Sequence, residues 1–191
     1  MHEAIESTID AQIEVKLREA IETESLPTAY YHHPVVENRA EDELILPLAF
    51  FIDAVPYSQV DSVVGFWVIN MITNRRCLFA TLRRCMLCRC GCSGWCSLFE
   101  MFTFINWSLQ AIADRVFPTS RHGGDPWHAS DAIRQRLGGT AMKLRAILLY
   151  IKGDWAENVH TLGLTAWNEA VRCCYKCNAH LFNRFRLSGI T

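Results

Sequence analysis

The sequence predicts a mixed α/β fold, with one sheet and flanking helices, for a chain of 191 residues. Apolar segments rich in β-branched and aromatic residues alternate with helical patterns in the order strand, strand, strand, long helix, strand. Half of the residues are hydrophobic and a fifth are charged, which is a globular composition and argues against disorder. A chain of this length can bury one sizeable core, so we expect one domain with an appendage.

The first 42 residues are predicted to form an acidic helical arm followed by a linker. Apolar residues recur at four-residue spacing over 3–23, which is typical of an amphipathic helix. They are Ile5, Ile9, Ile13, Leu17 and Ile21. Two interpretations stay open: a helix that binds a protein partner, and an acidic arm that packs on its own core, which we favour. Two prolines and the pair His32-His33 mark 26–42 as a linker, where we expect both histidines to be solvated.

The core is predicted to span residues 43–191. Its four strands are expected at 44–52, 62–73, 77–82 and 146–151. The first strand is a nearly continuous apolar run that ends at Asp53, and the second and third form a hairpin. A capping box of Ser97 and Glu100 begins a long helix that runs to Phe117. Further helices are expected at 130–137 and after Asp154.

This order of elements admits few topologies. One is the ribonuclease-H-like fold, in which the first and fourth strands are neighbours in a mixed sheet. Asp53 and Asp154 would then meet, although 101 positions separate them. Carboxylates at such strand ends can hold two Mg²⁺ ions about 3.5–4 Å apart and act on a phosphodiester. The alternative is that each aspartate caps a turn or a helix.

The cysteines give the densest local signal. Five of the nine lie in a Cys-rich insertion at 85–96: Cys85, Cys88, Cys90, Cys92 and Cys96. Zinc needs four thiolate or imidazole ligands, and the Cys85-x2-Cys88 spacing is typical of a zinc knuckle. A second group follows downstream, with Cys173, Cys174, Cys177 and His180. The two groups could pool into one site, such as Cys85, Cys88, Cys174 and Cys177, and inert or redox-active thiols are the alternative to zinc.

Charge divides the chain into two unlike parts. Residues 1–44 hold 11 acidic against 3 basic residues, whereas 45–191 hold 9 against 16. No acidic residue lies between Asp61 and Glu100, and five arginines do: Arg75, Arg76, Arg83, Arg84 and Arg89. Because a guanidinium fork suits phosphate, these arginines predict a nucleic-acid contact. The alternative is a solvated basic face that the acidic arm neutralises.

The sequence also predicts where the protein works. Its beginning is acidic, unlike a signal or transit peptide, so we expect an intracellular protein whose cysteines stay reduced. The most apolar stretch, 63–72, is ten residues long, about half of what a membrane-spanning helix needs. We therefore expect no membrane association.

Four segments of the chain carry a family resemblance. They are Phe50-Phe51-Ile52-Asp53-Ala54-Val55-Pro56-Tyr57, Cys90-Gly91-Cys92-Ser93-Gly94-Trp95-Cys96, Phe117-Pro118-Thr119-Ser120-Arg121-His122 and Ile151-Lys152-Gly153-Asp154-Trp155. The chain from about 43 to 180 resembles repetitive transposon-derived proteins of protist genomes, which in turn look like cut-and-paste transposases with a ribonuclease-H-like core. The motif around Cys90 is the specific part of this resemblance.

The resemblance implies roles for individual residues. Asp53 and Asp154 would be the first two catalytic acids, and Cys174, Cys177 and His180 would match a downstream metal-binding element. The third acid, usually a glutamate on a later helix, has no counterpart, because the last acidic residue is Glu169. Ala54 also stands where we would expect glycine after the first acid.

We therefore expect a truncated, catalytically incomplete transposase core that binds structural zinc, weakly binds Mg²⁺ and contacts DNA in the nucleus. The alternative is a non-catalytic zinc-binding module that contacts nucleic acid or a protein partner.

Overall fold

The computed structural model describes residues 1–154 except Ser93, together with residues 159 and 164. The helices are α1 (His2–Glu6), α2 (Ala11–Glu22), α3 (Thr28–Tyr31), α4 (Pro34–Glu37), α5 (Trp95–Asp114) and α6 (Ala132–Leu137). The strands are β1 (Ile45–Pro56), β2 (Ser62–Asn70), β3 (Arg76–Arg83) and β4 (Arg145–Lys152). A single 3₁₀ turn, Arg84–Met86, follows β3. Within this part of the chain no helix has the length and apolarity needed to cross a bilayer.

The four strands form one mixed sheet in the order β3-β2-β1-β4. β1 and β2 are antiparallel, as are β2 and β3, whereas β4 runs parallel to β1. A parallel pair needs a long crossover connection, and here it includes α5 and α6. The predicted mixed α/β fold and the predicted neighbourhood of the first and fourth strands are both confirmed.

The core lies on both faces of β1. One face contributes Leu46, Leu48, Phe50 and Ile52, which share a buried cluster with apolar residues of α5. On the other face, Ile45 packs in a second cluster with the fully buried Tyr30, whose hydroxyl donates to the Ile45 carbonyl at 2.8 Å. The first part of β1 is buried on both faces, so its sequence is a continuous apolar run and not an alternating one.

The N-terminal segment forms two helices instead of the predicted single one. The chain breaks between α1 and α2, where the hydroxyls of Ser7 and Thr8 donate to carbonyls of the preceding turn. Asp10 then caps α2 by accepting a hydrogen bond from the Gln12 amide. The apolar stripe is nevertheless buried, with Ile13 and Leu17 fully inside the same cluster as β1. The arm therefore packs on its own core, as the interpretation that we favour predicts.

Several predicted features of this order of elements were wrong, and the long helix, for example, ends at Asp114 and not at Phe117. The segment predicted as a linker contains α3 and α4. His32 within it is 75% exposed as predicted, whereas His33 is half-buried and caps α4 by accepting a hydrogen bond from the Val35 amide. β1 does not end at Asp53, because its pairing with β2 continues to Pro56. Ser97 does not cap the long helix, since α5 already begins at Trp95, after Gly94 at the N-cap position.

Candidate metal centre

Four cysteines come together between β3 and α5. Cys88, Cys90 and Cys92 lie on the loop after the 3₁₀ turn, and Cys96 lies in the first turn of α5. Their four sulfur atoms all lie within 4.8 Å of one another. The Sγ atoms of Cys90 and Cys96 are 3.8 Å apart. We refer to these four residues as the cysteine cluster.

Local contacts of the backbone close this loop. Gly94 has φ 84°, a conformation that favours glycine, and its Cα faces Leu87 so closely that a Cβ there would lie 3.1 Å from the Leu87 side chain. The Cys88 amide donates to Ser97 Oγ at 3.0 Å, and the Trp95 amide donates to the Cys92 carbonyl at 3.0 Å. The loop is thus folded back on the beginning of α5, which explains why Ser97 is not the N-cap.

The thiols of the cluster differ in acidity. The Cys96 amide donates to Cys92 Sγ at 3.4 Å, and this bond, with help from Cys90, lowers the pKa of Cys92 to about 6. Hydrogen bonding to Cys92 and then to Cys90 raises the pKa of Cys96 to about 12, and bonding with Cys88 raises the pKa of Cys90. A backbone amide at a helix start thus stabilises one thiolate, which is the form that binds metals.

The donor set fits a tetrahedral site for a soft metal. With zinc–sulfur bonds of about 2.3 Å, the edges of a sulfur tetrahedron are about 3.8 Å long, which is the Cys90–Cys96 separation. A disulfide would need about 2.05 Å, and all four cysteines are free. Four thiolates select zinc over the oxygen-preferring Mg²⁺. The cysteine cluster could therefore hold an ion such as zinc.

Not every predicted ligand lies in this cluster. Cys85 is bound instead to Asp61, since its amide donates to Asp61 Oδ1 at 3.0 Å and its thiol hydrogen-bonds to the same carboxylate. That contact raises the pKa of the Cys85 thiol. The Cys85-x2-Cys88 pair is therefore not brought together in one site. The second predicted group, Cys173, Cys174, Cys177 and His180, lies outside the described residues, as does the helix predicted after Asp154.

The two predicted catalytic acids lie at the same ends of adjacent strands. The last paired residues of the parallel β1 and β4 are Phe51 and Lys152, and Asp53 and Asp154 each lie two residues further on. Asp53 is half-buried within β1, and Asp154 is exposed just past β4. Since side chains two apart share a face of a strand, Asp53 lies on the face of Phe51.

A close contact that was not predicted lies beside Asp53. Asp53 pairs with Gly65 of β2, and a Cβ on Gly65 would lie 2.1 Å from the Trp67 indole. The indole therefore covers Gly65, and its ring also contacts Phe51 at a centroid distance of 5.5 Å. A glycine inside a strand of β-branched residues was the available signal for this contact.

The five predicted nucleic-acid-binding arginines are divided between two places. Arg75 and Arg76 lie at the beginning of β3, where the Arg76 guanidinium is 6.0 Å from the centroid of the Phe51 ring. Arg83 ends β3, and Arg84 and Arg89 follow it toward the cysteine cluster. Seven residues of strand separate the two groups by about 23 Å. They do not form a single patch.

Arg83 is occupied by an ion pair within the protein. Its Nε and one terminal nitrogen donate to Asp61 Oδ2 at 3.1 and 2.9 Å. Tyr57 donates its hydroxyl to the same oxygen at 2.5 Å, and its ring lies under the Arg83 guanidinium. The hydrogen bond from the Cys85 thiol, followed by those from Tyr57 and Arg83, holds the pKa of Asp61 well below its usual range. Asp61 thus ties the β1–β2 loop to the start of the cysteine loop.

No protein-family model, curated protein or solved structure matches this chain. The fold and the site define the class of protein: a mixed α/β domain with a four-stranded mixed sheet and a four-cysteine cluster suited to a soft metal ion.

Proposed function

We propose that this chain is a transposase-derived core of the ribonuclease-H-like fold, which binds a divalent cation through Asp53 and Asp154 and acts on DNA. The observation that carries the proposal is the parallel pairing of β1 with β4, because both acids follow the last paired residues by two positions. The strand order β3-β2-β1-β4, with a helical crossover before β4, is also the order expected of that fold.

The chemistry of the two acids supports cation binding. Adjacent strands are about 4.8 Å apart, and register partners in a parallel pair share a face of the sheet. If the register continues, the two carboxylates face the same space and offer hard oxygen ligands of the kind that Mg²⁺ prefers. Bound there, Mg²⁺ would polarise a phosphodiester or activate water. Since such transposases use three acids, the proposal covers metal binding and not strand transfer.

In the same proposal, the cysteine cluster is a structural zinc site. All four ligands would come from the protein, which is typical of structural zinc, whereas catalytic zinc keeps an open position. The ion would link the loop after β3 to the first turn of α5.

Manganese binding tests the paired acids. Titration of the purified protein with Mn²⁺, followed by electron paramagnetic resonance of the free ion, is expected to show a site that Asp53→Asn and Asp154→Asn each weaken. Asp125→Asn is the matched control, because Asp125 is an exposed loop acid. If Asp125→Asn weakens binding as much as the other two variants, or if all four proteins bind Mn²⁺ equally, the paired-acid site is refuted.

A second candidate function is a zinc-binding module without catalytic ancestry, which contacts nucleic acid or a protein. It is favoured by one observation: the cysteine cluster comes entirely from residues 88–96 and needs neither acid. Zinc binding together with no Mn²⁺ site at Asp53 and Asp154 would support this candidate over the first.

A further inference from the structure

Two exposed aromatic side chains lie beside the cysteine cluster. Trp95, the first residue of α5, is 49% exposed, and Phe99, one turn later, is 55% exposed. The centroids of their rings are 6.3 Å apart. Met86, which precedes the cluster in the chain, is exposed as well. The contact between Trp95 and Phe99 makes a continuous apolar surface, which marks binding sites more often than isolated exposed residues do. We call Trp95 and Phe99 the aromatic face.

The charges around the aromatic face are basic. Of the five arginines between Asp61 and Glu100, only Arg83, Arg84 and Arg89 lie toward the cysteine cluster, and no acid lies in this interval. Asp61 neutralises one of them, Arg83, whereas Arg89 is exposed within the loop that carries the cysteine cluster. The exposed Glu100 directly follows Phe99 and lies about 100° around the helix from Phe99 and about 140° from Trp95. The surface beside Trp95 therefore suits an anionic partner.

We infer that the aromatic face binds single-stranded nucleic acid, with unpaired bases stacked on Trp95 and Phe99 and the phosphate backbone beside Arg89. Aromatic rings next to cationic groups are the combination that such binding uses, because every base has a face that can stack. A duplex hides the faces of its bases and offers only phosphates to this surface. The negative charge of the strand complements the basic loop.

The inference rests on the proposed function, since Cys96 of the zinc site directly follows Trp95 in the first turn of α5. The cysteine cluster folds the loop against this turn, and the Trp95 amide is itself bonded to the Cys92 carbonyl. Trp95 also contacts Phe102 at a centroid distance of 6.0 Å. The segment that would bind zinc therefore holds the Trp95 backbone, whereas the indole itself packs along α5.

Fluorescence anisotropy of a labelled oligo(dT) of about 15 nucleotides tests the inference with the full chain. Trp95→Leu and Phe99→Leu are each expected to weaken binding about 5- to 150-fold, which corresponds to the loss of one stacked base. Tyr150→Leu is the matched control, because it removes an exposed aromatic ring from β4 and is expected to leave binding unchanged. Equal zinc content and thermal unfolding among the variants establish that they fold alike.

The salt dependence separates stacking from phosphate contact. Arg89→Gln is expected to reduce the slope of log K against log salt concentration by about 0.7, whereas Trp95→Leu leaves it unchanged. Unchanged binding by both aromatic variants, tighter binding to a duplex than to oligo(dT), or no binding by the zinc-loaded protein would each overturn the inference and leave the proposed zinc site standing. Oligonucleotide binding by a protein that never takes up zinc would instead contradict the zinc site and support the aromatic face.

Discussion

Replacing one cysteine of the cluster is the sharpest test of the metal centre. We expect Cys96→Ser to lose the zinc ion that Cys88, Cys90, Cys92 and Cys96 would share, because their mutual separations within 4.8 Å suit one ion and not several. The Cys90–Cys96 separation of 3.8 Å is the edge of a tetrahedron with zinc–sulfur bonds of about 2.3 Å. X-ray absorption of the zinc protein should therefore show four sulfur ligands at about 2.3 Å and no lighter ligand.

Cobalt substitution gives the same prediction a quantitative form. The charge-transfer absorbance of a cobalt–thiolate site grows with the number of thiolates. If Cys96→Ser still binds cobalt weakly, its absorbance should be about a quarter lower, because one of four thiolates is gone. Cys85→Ser is the matched control, because the thiol of Cys85 contacts Asp61 and lies outside the cluster. Unchanged metal content in Cys96→Ser would refute the site. If Cys85→Ser and Cys174→Ser each lose the metal, the ligands are instead the pooled set of Cys85, Cys88, Cys174 and Cys177.

Three further predictions concern Gly65, Asp61 and His2. Gly65→Ala should lower the free energy of unfolding by about 1–3 kcal/mol, since the new methyl group would overlap the Trp67 indole; denaturant unfolding measures this, and an unchanged stability would contradict the close contact. Asp61→Ala should remove the hydrogen bond that raises the pKa of the Cys85 thiol, so alkylation of Cys85 at mildly alkaline pH should become faster in mass-spectrometric mapping. Burial lowers the pKa of His2 from its ordinary 6.5 to about 4, so stability is full above pH 6.5 and falls as the pH drops toward 4. Between pH 7 and 5 we expect His2 to contribute a loss of about 2 kcal/mol, which His2→Gln removes and the exposed His32→Gln does not. The loss that remains in His2→Gln comes from the Met1 amino group, because burial lowers its pKa from 8.0 to about 6.

The strands were predictable because burial leaves a direct trace in the sequence. β2 and β4 are runs of β-branched and aromatic residues, and both formed close to the predicted positions. The end of β1 was not predictable in the same way. The uninterrupted apolar run stops at Ile52, but pairing with β2 continues to Pro56. A hydrophobic pattern reports which residues are buried and not which are paired, so Asp53 lies inside a strand that it was expected to follow.

Hydrogen bonds to residues that are distant in the sequence explain why Ser97 does not cap α5 and why Cys85 does not join the cysteine cluster. Ser97 and Glu100 satisfy the pattern of a capping box, but the hydroxyl of Ser97 accepts a hydrogen bond from Cys88. Cys85 has the spacing of a zinc ligand, but Asp61, 24 positions earlier, binds it. The spacing of residues along the chain constrains which side chains can meet. Spacing alone does not show which hydrogen-bond partner a side chain takes when the fold places a more distant residue beside it.

The packing of α5 makes the proposed cation site at Asp53 and Asp154 independent of the proposed zinc site. Its buried residues extend from Leu98 to Ile112 and pack in the cluster that also contains Phe50 of β1. This apolar stripe holds the helix on the sheet without any metal, so a zinc ion at Cys96 would order only the loop and the first turn. Chelation of zinc should then increase amide hydrogen exchange at 95–99 and leave exchange at 105–112 slow. Fast exchange along the whole helix would mean that the metal stabilises the core, and Mn²⁺ binding near Asp53 would then depend on zinc as well.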